Sequence, residues 1–412
     1  MPNSTMQRSA QPGLVSVVIP NFNHGKYLGD AIQSVLTQDY PYVEIIVVDD
    51  GSTDNSREVV EPFARQVKYI WQANQGLSAA RNTGINAALG DFIGVLDADD
   101  MYEPNFLSSL VPIMAKNPEI DGVYCGYQFV DHKNSPLPQI EARSIPSGEL
   151  YQSLLAGNFL VPESMLVRKH CYENVGPFDV SLRALEDWDM WLRISSRYNI
   201  AGTTEILTRH RVLPGSMSAD PTRMLDNRIA VLNKHFGAEP DTDGNEQVKM
   251  AYGRAYLVSC VEYLQYGDLK KANNCLQSMV KVYPELLADF DTFYQLGLGS
   301  QPKGQLGDFS TLDLQTNANV LLQMLENLFE NSQLENNIYP YRKLAFANAY
   351  FALAQLNYGA RNFSETRRYL LLAMNTDSGI ALNRRFVSMY SKTLLGDKLI
   401  DRLKGSKQKF AV

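Results

Sequence analysis

"GDFIGVLDADDMYEPNFL", residues 90–107, sets an apolar run directly against three carboxylates in four positions. Phe92, Ile93, Val95 and Leu96 read as a strand buried on both faces, and Asp97, Asp99 and Asp100 fall where that strand ends. Unpaired charge beside a core is costly, so these aspartates must face a cation or hydrogen-bond donors.

Upstream, the same apolar texture recurs in "LVSVVIP" (14–20), "VEIIVVD" (43–49) and "VKYIW" (67–71). Short β-branched runs without polar alternation are strands covered on both faces of a mostly parallel sheet. Between them "KYLGDAIQSVLTQ", "DNSREVVEPFARQ" and "LSAARNTGINAAL" carry helical spacing. Strand alternating with helix predicts a doubly wound α/β domain, whose ligands sit at the carboxyl ends of the strands. Those ends are "PNFN", "DDGSTD" and "DADD".

Downstream, "DGVYCGYQFVD" and "NIAGTTEILT" read as further strands and "EDWDMWLRISSRY" as a helix. "GAEPDTDGNE" (237–246) has the Gly, Pro and acid content of a linker. The expected layout is a loose tail over 1–12, the α/β domain over 13–236, the linker, and an all-helical domain over 247–412. Within the last, "YGDLKKANNCL" and "YGARNFSETRRYL" echo one another, matching Tyr266-Gly267 to Tyr358-Gly359. Two divergent copies leave a tetratricopeptide-like array and an irregular bundle both open.

At 412 residues, with 45% hydrophobic and 20% charged residues, the chain fits a soluble two-domain protein. A net charge of −7 argues against a nucleic-acid binder. Cys125, Cys171, Cys260 and Cys275 show no CxxC spacing and read as reduced core thiols. The first residues lack an apolar signal region, and no run approaches the roughly 20 apolar residues of a membrane span. Cytoplasmic residence is expected. "DKLIDRLKGSKQKFAV" (397–412) interleaves Lys398, Arg402, Lys404, Lys407 and Lys409 with Leu399, Ile400, Leu403 and Phe410. Such an end suits either peripheral contact with an anionic membrane face or a solvated helix terminus.

The aspartate cluster has rivals to exclude. A calcium loop of the EF-hand type needs an oxygen ligand at its fifth position and Gly at its sixth, where Met101 and Tyr102 stand. An aspartyl-phosphate phosphatase would carry its DxD on the first strand, whereas here the fourth strand carries it. GxxxxGK[ST] and GxGxxG are both absent, so no backbone cradle for phosphates is present. A divalent cation on Asp97 and Asp99 fills that gap: hard oxygen ligands suit Mg²⁺ or Mn²⁺ and leave positions for a diphosphate.

"VSVVIPNFNHGKYLGDAIQSVLTQDYPYVEIIVVDDGSTDNS", "NQGLSAARNTGINAALGDFIGVLDADD" and "EDWDMWLRI" strongly resemble the family 2 glycosyltransferases, inverting enzymes of GT-A fold. The similarity runs from about 14 to 103 and resumes over 178–218. It implies a nucleotide-sugar donor, UDP-linked by preference, and a hydroxyl acceptor on a glycan, lipid-linked glycan or protein. It also implies a role in cell-surface glycan or polysaccharide synthesis.

Carried over by position, the resemblance puts Pro20, Phe22 and Asn23 at the nucleoside and Asp50 on the base N–H. Arg81 would face the donor phosphates or the neighbouring carboxylates. Asp99 would ligate Mn²⁺ or Mg²⁺, with Asp97 on ribose or metal and Asp100 behind them. Asp187 would be the general base, with Glu186 orienting it or binding the acceptor and Trp188 offering its face to the acceptor sugar. Where the family often has His before "PGS", this chain has Leu213. Either His210 reaches the metal from a shifted register, or Arg209 or Arg211 meets the phosphates. The competing reading is a degenerate sugar-nucleotide binder on a helical scaffold that engages a protein partner.

Overall fold

The computed structural model describes residues 13–146, 148–238, 240, 244–299, 301–331 and 334–395. The tail over 1–12, part of the 237–246 linker and the basic 397–412 segment lie outside them. The chain divides into two compact units, Met1–His235 and Phe236–Val412.

The first unit is built on a sheet of nine strands. These are β1 (Val15–Asn21), β2 (Val43–Asp49), β3 (Val67–Trp71), β4 (Phe92–Val95), β5 (Met101–Tyr102), β6 (Gly122–Val130), β7 (Pro136–Glu141), β8 (Met165–Arg168) and β9 (Ile200–Arg211). Their order is β3-β2-β1-β4-β8-β6-β9-β5, with β7 on β6. β1 to β4 run parallel, and β8 enters antiparallel between β4 and β6. β3 is an edge strand with Lys68 and Trp71 exposed, not covered on both faces as its sequence suggests. Helices α1 (Gly25–Leu36), α2 (Ser56–Val60), α3 (Leu77–Ala87), α4 (Phe106–Lys116), α5 (Leu150–Leu155), α6 (Lys169–Val175), α7 (Glu186–Ser195) and α8 (Pro221–Phe236) accompany the sheet.

α1 buries Leu28, Ala31, Ile32 and Val35, the i, i+3, i+4, i+7 stripe of a helix lying on a sheet. They join Val15, Val17, Ile19, Ile45 and Val47 in one core cluster. α3 also lies close against the sheet, and Gly84 permits it. A Cβ there would lie 2.2 Å from a Val18 methyl. That approach brings Arg81, on the same helix, to the end of β4.

The second unit is helical: α9 (Glu246–Gln265), α10 (Leu269–Val282), α11 (Phe290–Gly297), α12 (Leu314–Phe329), α13 (Glu335–Ile338), α14 (Arg342–Gly359), α15 (Phe363–Thr376) and α16 (Arg384–Leu395). An internal repeat is present, but in another register than the YG echo suggests. α10 maps onto α15, the 3-10 turn Pro284–Ala288 onto Ser378–Leu382, and the start of α11 onto that of α16. Each is displaced by 94 residues, as from Leu269 to Phe363. Ala272, Cys275, Leu276 and Met279, buried on α10, become Thr366, Tyr369, Leu370 and Ala373 on α15.

Gly267, at φ 74°, therefore corresponds to Arg361, at φ 62°, and not to Gly359. Gly359 answers a different need: a Cβ there would meet the Phe309 ring at 2.5 Å. The sequence trace of the true register is "AYGRAYL" (251–257) against "AFANAYF" (345–351). This displacement is not the ~34-residue spacing of tetratricopeptide arrays. All four cysteines are buried and free. Among the described residues no helix is long and apolar enough to cross a membrane.

Candidate active site

The carboxyl ends of β1, β2 and β3 align as Asn21, Asp49 and Trp71. Asn23, left-handed at φ 56°, turns its side chain back to accept from the Thr53 N–H at 2.7 Å. Its own N–H donates to Ser52 Oγ at 2.9 Å, and the Asp54 carboxylate accepts from the Gly25 N–H at 2.8 Å. Asn23 is thus a brace between two strand-end loops. Pro20 is buried in β1 opposite Val48. Phe22 stands 46% exposed, and Trp71, which sequence reasoning did not single out, stands 61% exposed.

Asp50 is held by protein donors on both of its carboxylate oxygens. Its Oδ1 accepts from Gln72 Nε2 at 2.7 Å and the Gln75 N–H at 2.9 Å, and its Oδ2 from the Gly76 N–H at 2.8 Å. Buried and held by those donors, it latches the loop that leads into α3.

Arg81 is 1% exposed and stays cationic. Burial opposes its charge, but Asp97 and Glu186 outweigh burial and raise its pKa. It grips Asp97 through Nη2 at 2.8 and 3.0 Å and pairs with Glu186 through Nη1. Of its two expected roles, it takes the carboxylate-facing one. Glu186 is correspondingly buried against Arg81.

The DADD turn sends its carboxylates three ways. Asp97 goes to Arg81. Asp99 keeps 19% of its side chain exposed and lies 3.8 Å from His24 Nδ1 at the head of α1. Asp100 turns inward, accepting from the Arg211 N–H at 2.7 Å and facing His210 Nδ1 at 3.2 Å. Glu163, which sequence reasoning missed, is fully buried with Oε1 2.9 Å from the same His210 nitrogen. It comes from the short turn Pro162–Ser164, where a single Glu gives no motif signal.

His210 is therefore brought to Asp100 and Glu163. Burial favours its neutral ring, yet Asp100 and Glu163 raise its pKa to about 10. Arg209 pairs with Glu103 at 2.6 Å, and buried Arg211 donates to the Asp99 carbonyl at 2.7 Å. Both arginines are committed to protein groups.

Leu185, held left-handed at φ 60°, immediately precedes α7 and sets the direction in which Glu186 and Asp187 enter it. Asp187 is half-buried and accepts from Asn158 Nδ2 at 3.0 Å. Burial, then the neighbouring Glu186, push its pKa up to about 7. Trp188 is not an acceptor platform. It is 2% exposed, and its indole N–H donates to the Leu154 carbonyl at 2.8 Å. Trp191 and Leu192 share the core with it, as expected. Asp189 is structural, buried among Arg193, Lys234 and His235.

The carboxylates here (Asp97, Asp99, Asp100, Glu163, Glu186, Asp187) outnumber the cations Arg81, His210 and Arg211. Burial and then Asp100 push Asp99 up to about 7; burial and then Glu163 do the same to Asp100. Glu163 Oε2 and His24 Nδ1 are buried without a hydrogen-bond partner. Excess negative charge and orphaned ligand atoms together fit a divalent cation. Asp100, Glu163 and His210 also place one ligand atom each within 4.8 Å of one another.

Residues 16–174 match the model of glycosyl transferase family 2. An uncharacterised glycosyltransferase of Rickettsia typhi is 34% identical over 219 residues, 50% of this chain and 66% of that protein. One from Nostoc is 36% identical over 174 residues, 40% of this chain and 54% of its own length. Glycosyltransferase GlyG of Streptococcus pneumoniae is 45% identical over 101 residues, 24% of this chain and 34% of its own. The chain thus spans at most 66% of the length of these relatives. Residues 1–349 of S. aureus TarS, crystallised with UDP-GlcNAc, share the fold at a TM-score of 0.51 and 17% identity, covering 81% of this chain and 90% of that one. With the GT-A fold and the strand-end carboxylates in place, the amino-terminal unit of this chain belongs to glycosyl transferase family 2.

Proposed function

We propose that the chain transfers a sugar, with inversion, from a nucleoside-diphosphate sugar to a hydroxyl of a glycan, lipid-linked glycan or protein acceptor. The setting would be surface-glycan or polysaccharide assembly. The observation that carries this reading is Asp187. It is a half-buried carboxylate at the head of α7, fixed by Asn158, with its pKa raised toward neutrality. A base with a pKa near working pH is deprotonated often enough to act and basic enough to take a proton.

In this reading Asp187 removes the proton from the acceptor hydroxyl as that oxygen attacks the anomeric carbon. Arg81 holds Glu186 and Asp97 in place and so fixes the approach of Asp187 to the donor side. Asp99 and Asp97 would hold Mn²⁺ or Mg²⁺, with Asp100, Glu163 and His210 behind or beside them. Such an ion supplies charge neutralisation for the diphosphate leaving group. Phe22 and Trp71 present aromatic faces on which a base can stack. UDP-GlcNAc, held by TarS, is the first donor to try.

The test is release of nucleoside diphosphate and transfer of sugar, with Mn²⁺ or Mg²⁺ present and a panel of hydroxyl acceptors. Donor binding without turnover on any acceptor would instead favour a sugar-nucleotide-binding scaffold.

A further inference from the structure

At the opposite end of β4 from the DADD turn, a second set of ligand-type side chains converges. Asp121 immediately precedes β6, and His170 and Cys171 lie at the start of α6, directly after β8. β6 and β8 pair there through Gly122 and Val167, and the Arg168 N–H donates to the Asp121 carbonyl at 2.8 Å. The spacing of the three residues is therefore set by the sheet.

His170 Nε2 lies 3.2 Å from Asp121 Oδ1 and 3.7 Å from Cys171 Sγ. Both contacts reach the same ring nitrogen. A Cys–His–Asp proton relay would need the two ring nitrogens on different partners, so that reading fails. One N–H also serves a single short bond well, and the thiol's contact with the Asp121 carbonyl is long, at 4.0 Å. A shared ion accounts for the convergence. With Zn–N and Zn–O near 2.0–2.1 Å and Zn–S near 2.3 Å, a tetrahedral site separates N from O by about 3.3 Å and N from S by about 3.6 Å. All three ligand atoms lie within 4.8 Å of one another.

We propose that Asp121, His170 and Cys171 bind one zinc-type divalent cation, with the fourth position open to solvent. The mixed oxygen, nitrogen and sulfur set selects a borderline-soft ion, unlike the all-oxygen pair Asp97 and Asp99. His170 is 45% exposed and lines a cavity of about 510 Å³ with Asp91, Arg168 and Lys169, which supplies an entry path. Tyr198 packs edge-on against the His170 ring at 5.5 Å and fixes its plane. Burial and then Asp121 raise the Cys171 thiol to about 12, so the sulfur becomes a ligand when the cation displaces its proton. The ion would tie α6 to the root of β6, and α6 packs on α7, which carries Glu186 and Asp187.

The experiment is titration of the full, reduced chain with Co²⁺ in excess Mg²⁺, followed at the thiolate-to-cobalt charge-transfer band, which the sulfur-free set Asp100, Glu163 and His210 cannot give. One equivalent of Co²⁺ should give a thiolate-to-cobalt charge-transfer band and tetrahedral d–d bands, both abolished by Zn²⁺. Cys171→Ser should remove the charge-transfer band. His170→Ala, at a half-exposed position that tolerates truncation, should weaken cobalt binding more than tenfold without altering the far-UV spectrum. Absence of the band in the wild-type chain would overturn the proposal. A band that persists unweakened in His170→Ala would overturn it equally, even if Cys171→Ser fails to fold.

Discussion

Arg81 and Glu186, 105 residues apart in sequence, form a buried ion pair that joins α3 to α7. The same guanidinium holds Asp97, so one side chain sets the spacing between the DADD turn and the head of α7. Removing it would leave two carboxylates without their cation in a poorly solvated place. Arg81→Met should cost about 3–5 kcal/mol of the first unit's stability, read by urea denaturation. Arg81→Lys restores the charge but not the fork, and should recover only part of that loss. Wild-type stability in Arg81→Met would show that the pair contributes nothing net.

Asp99 is the carboxylate of the turn that remains partly open, beside His24. Asp99→Asn should weaken nucleotide-sugar binding and remove its dependence on Mn²⁺, as measured by calorimetry with and without the ion. Undiminished binding that still requires Mn²⁺ would place the ion elsewhere, with Asp100, Glu163 and His210 as the alternative set.

Stability should also depend on pH in a definite direction. Asp99 and Asp100 have folded pKa values near 7, above the usual 3.8. A carboxylate raised on folding favours the folded state while protonated. Its contribution is complete below about 3.8 and disappears as pH climbs through 7. His210, raised from 6.5 to about 10, adds the same sign over the higher window. The ion-free protein should therefore lose Tm between pH 5 and pH 8, and Mn²⁺ should raise Tm more at pH 8 than at pH 5. A larger metal effect at pH 5 would contradict this charge balance.

Much of this arrangement was legible because buried parallel strands write themselves as unbroken β-branched runs. β1, β2 and β4 and the acids that follow β2 and β4 could be read directly, whereas β3 is an edge strand with Lys68 and Trp71 exposed. What stayed hidden depends on partners distant in sequence. Nothing near Asp50 announces that it accepts from Gln72, Gln75 and Gly76. Nothing near Glu163 announces that it meets His210, since that meeting rests on β9 passing over a short turn. Trp188 was readable and misread. It lies three and four residues before Trp191 and Leu192, on one helical face with these core residues.

The helical repeat carries its own prediction at Gly267. Its φ of 74° lies in the left-handed region, and nothing stands within 4 Å of an added Cβ. The cost of Gly267→Ala is therefore purely backbone, about 1 kcal/mol. Gly359→Ala should cost more, because the added methyl meets Phe309 at 2.5 Å. Thermal unfolding of the two variants ranks them, and the reverse order would show that the Phe309 ring gives way to the added methyl.

Asp187 is the residue on which the proposed chemistry stands. Asp187→Asn keeps the size and a hydrogen-bonding partner for Asn158 but cannot accept a proton. Turnover should fall by roughly 10²–10⁴, the range for loss of a general base. Donor affinity should hardly change, because Asp187 is placed to meet the acceptor. The wild-type rate should rise with pH through about 7 as the carboxylate ionises, and the variant should lose that limb. Glu186→Gln is the control. Its partner is Arg81, so it should perturb stability and donor-side geometry. The pH limb should persist but shift to lower pH, because Glu186 is one of the groups that raise Asp187. If Asp187→Asn transfers sugar normally, the base is another group. If it loses donor affinity and turnover together, Asp187 belongs to the nucleotide or metal side of the site.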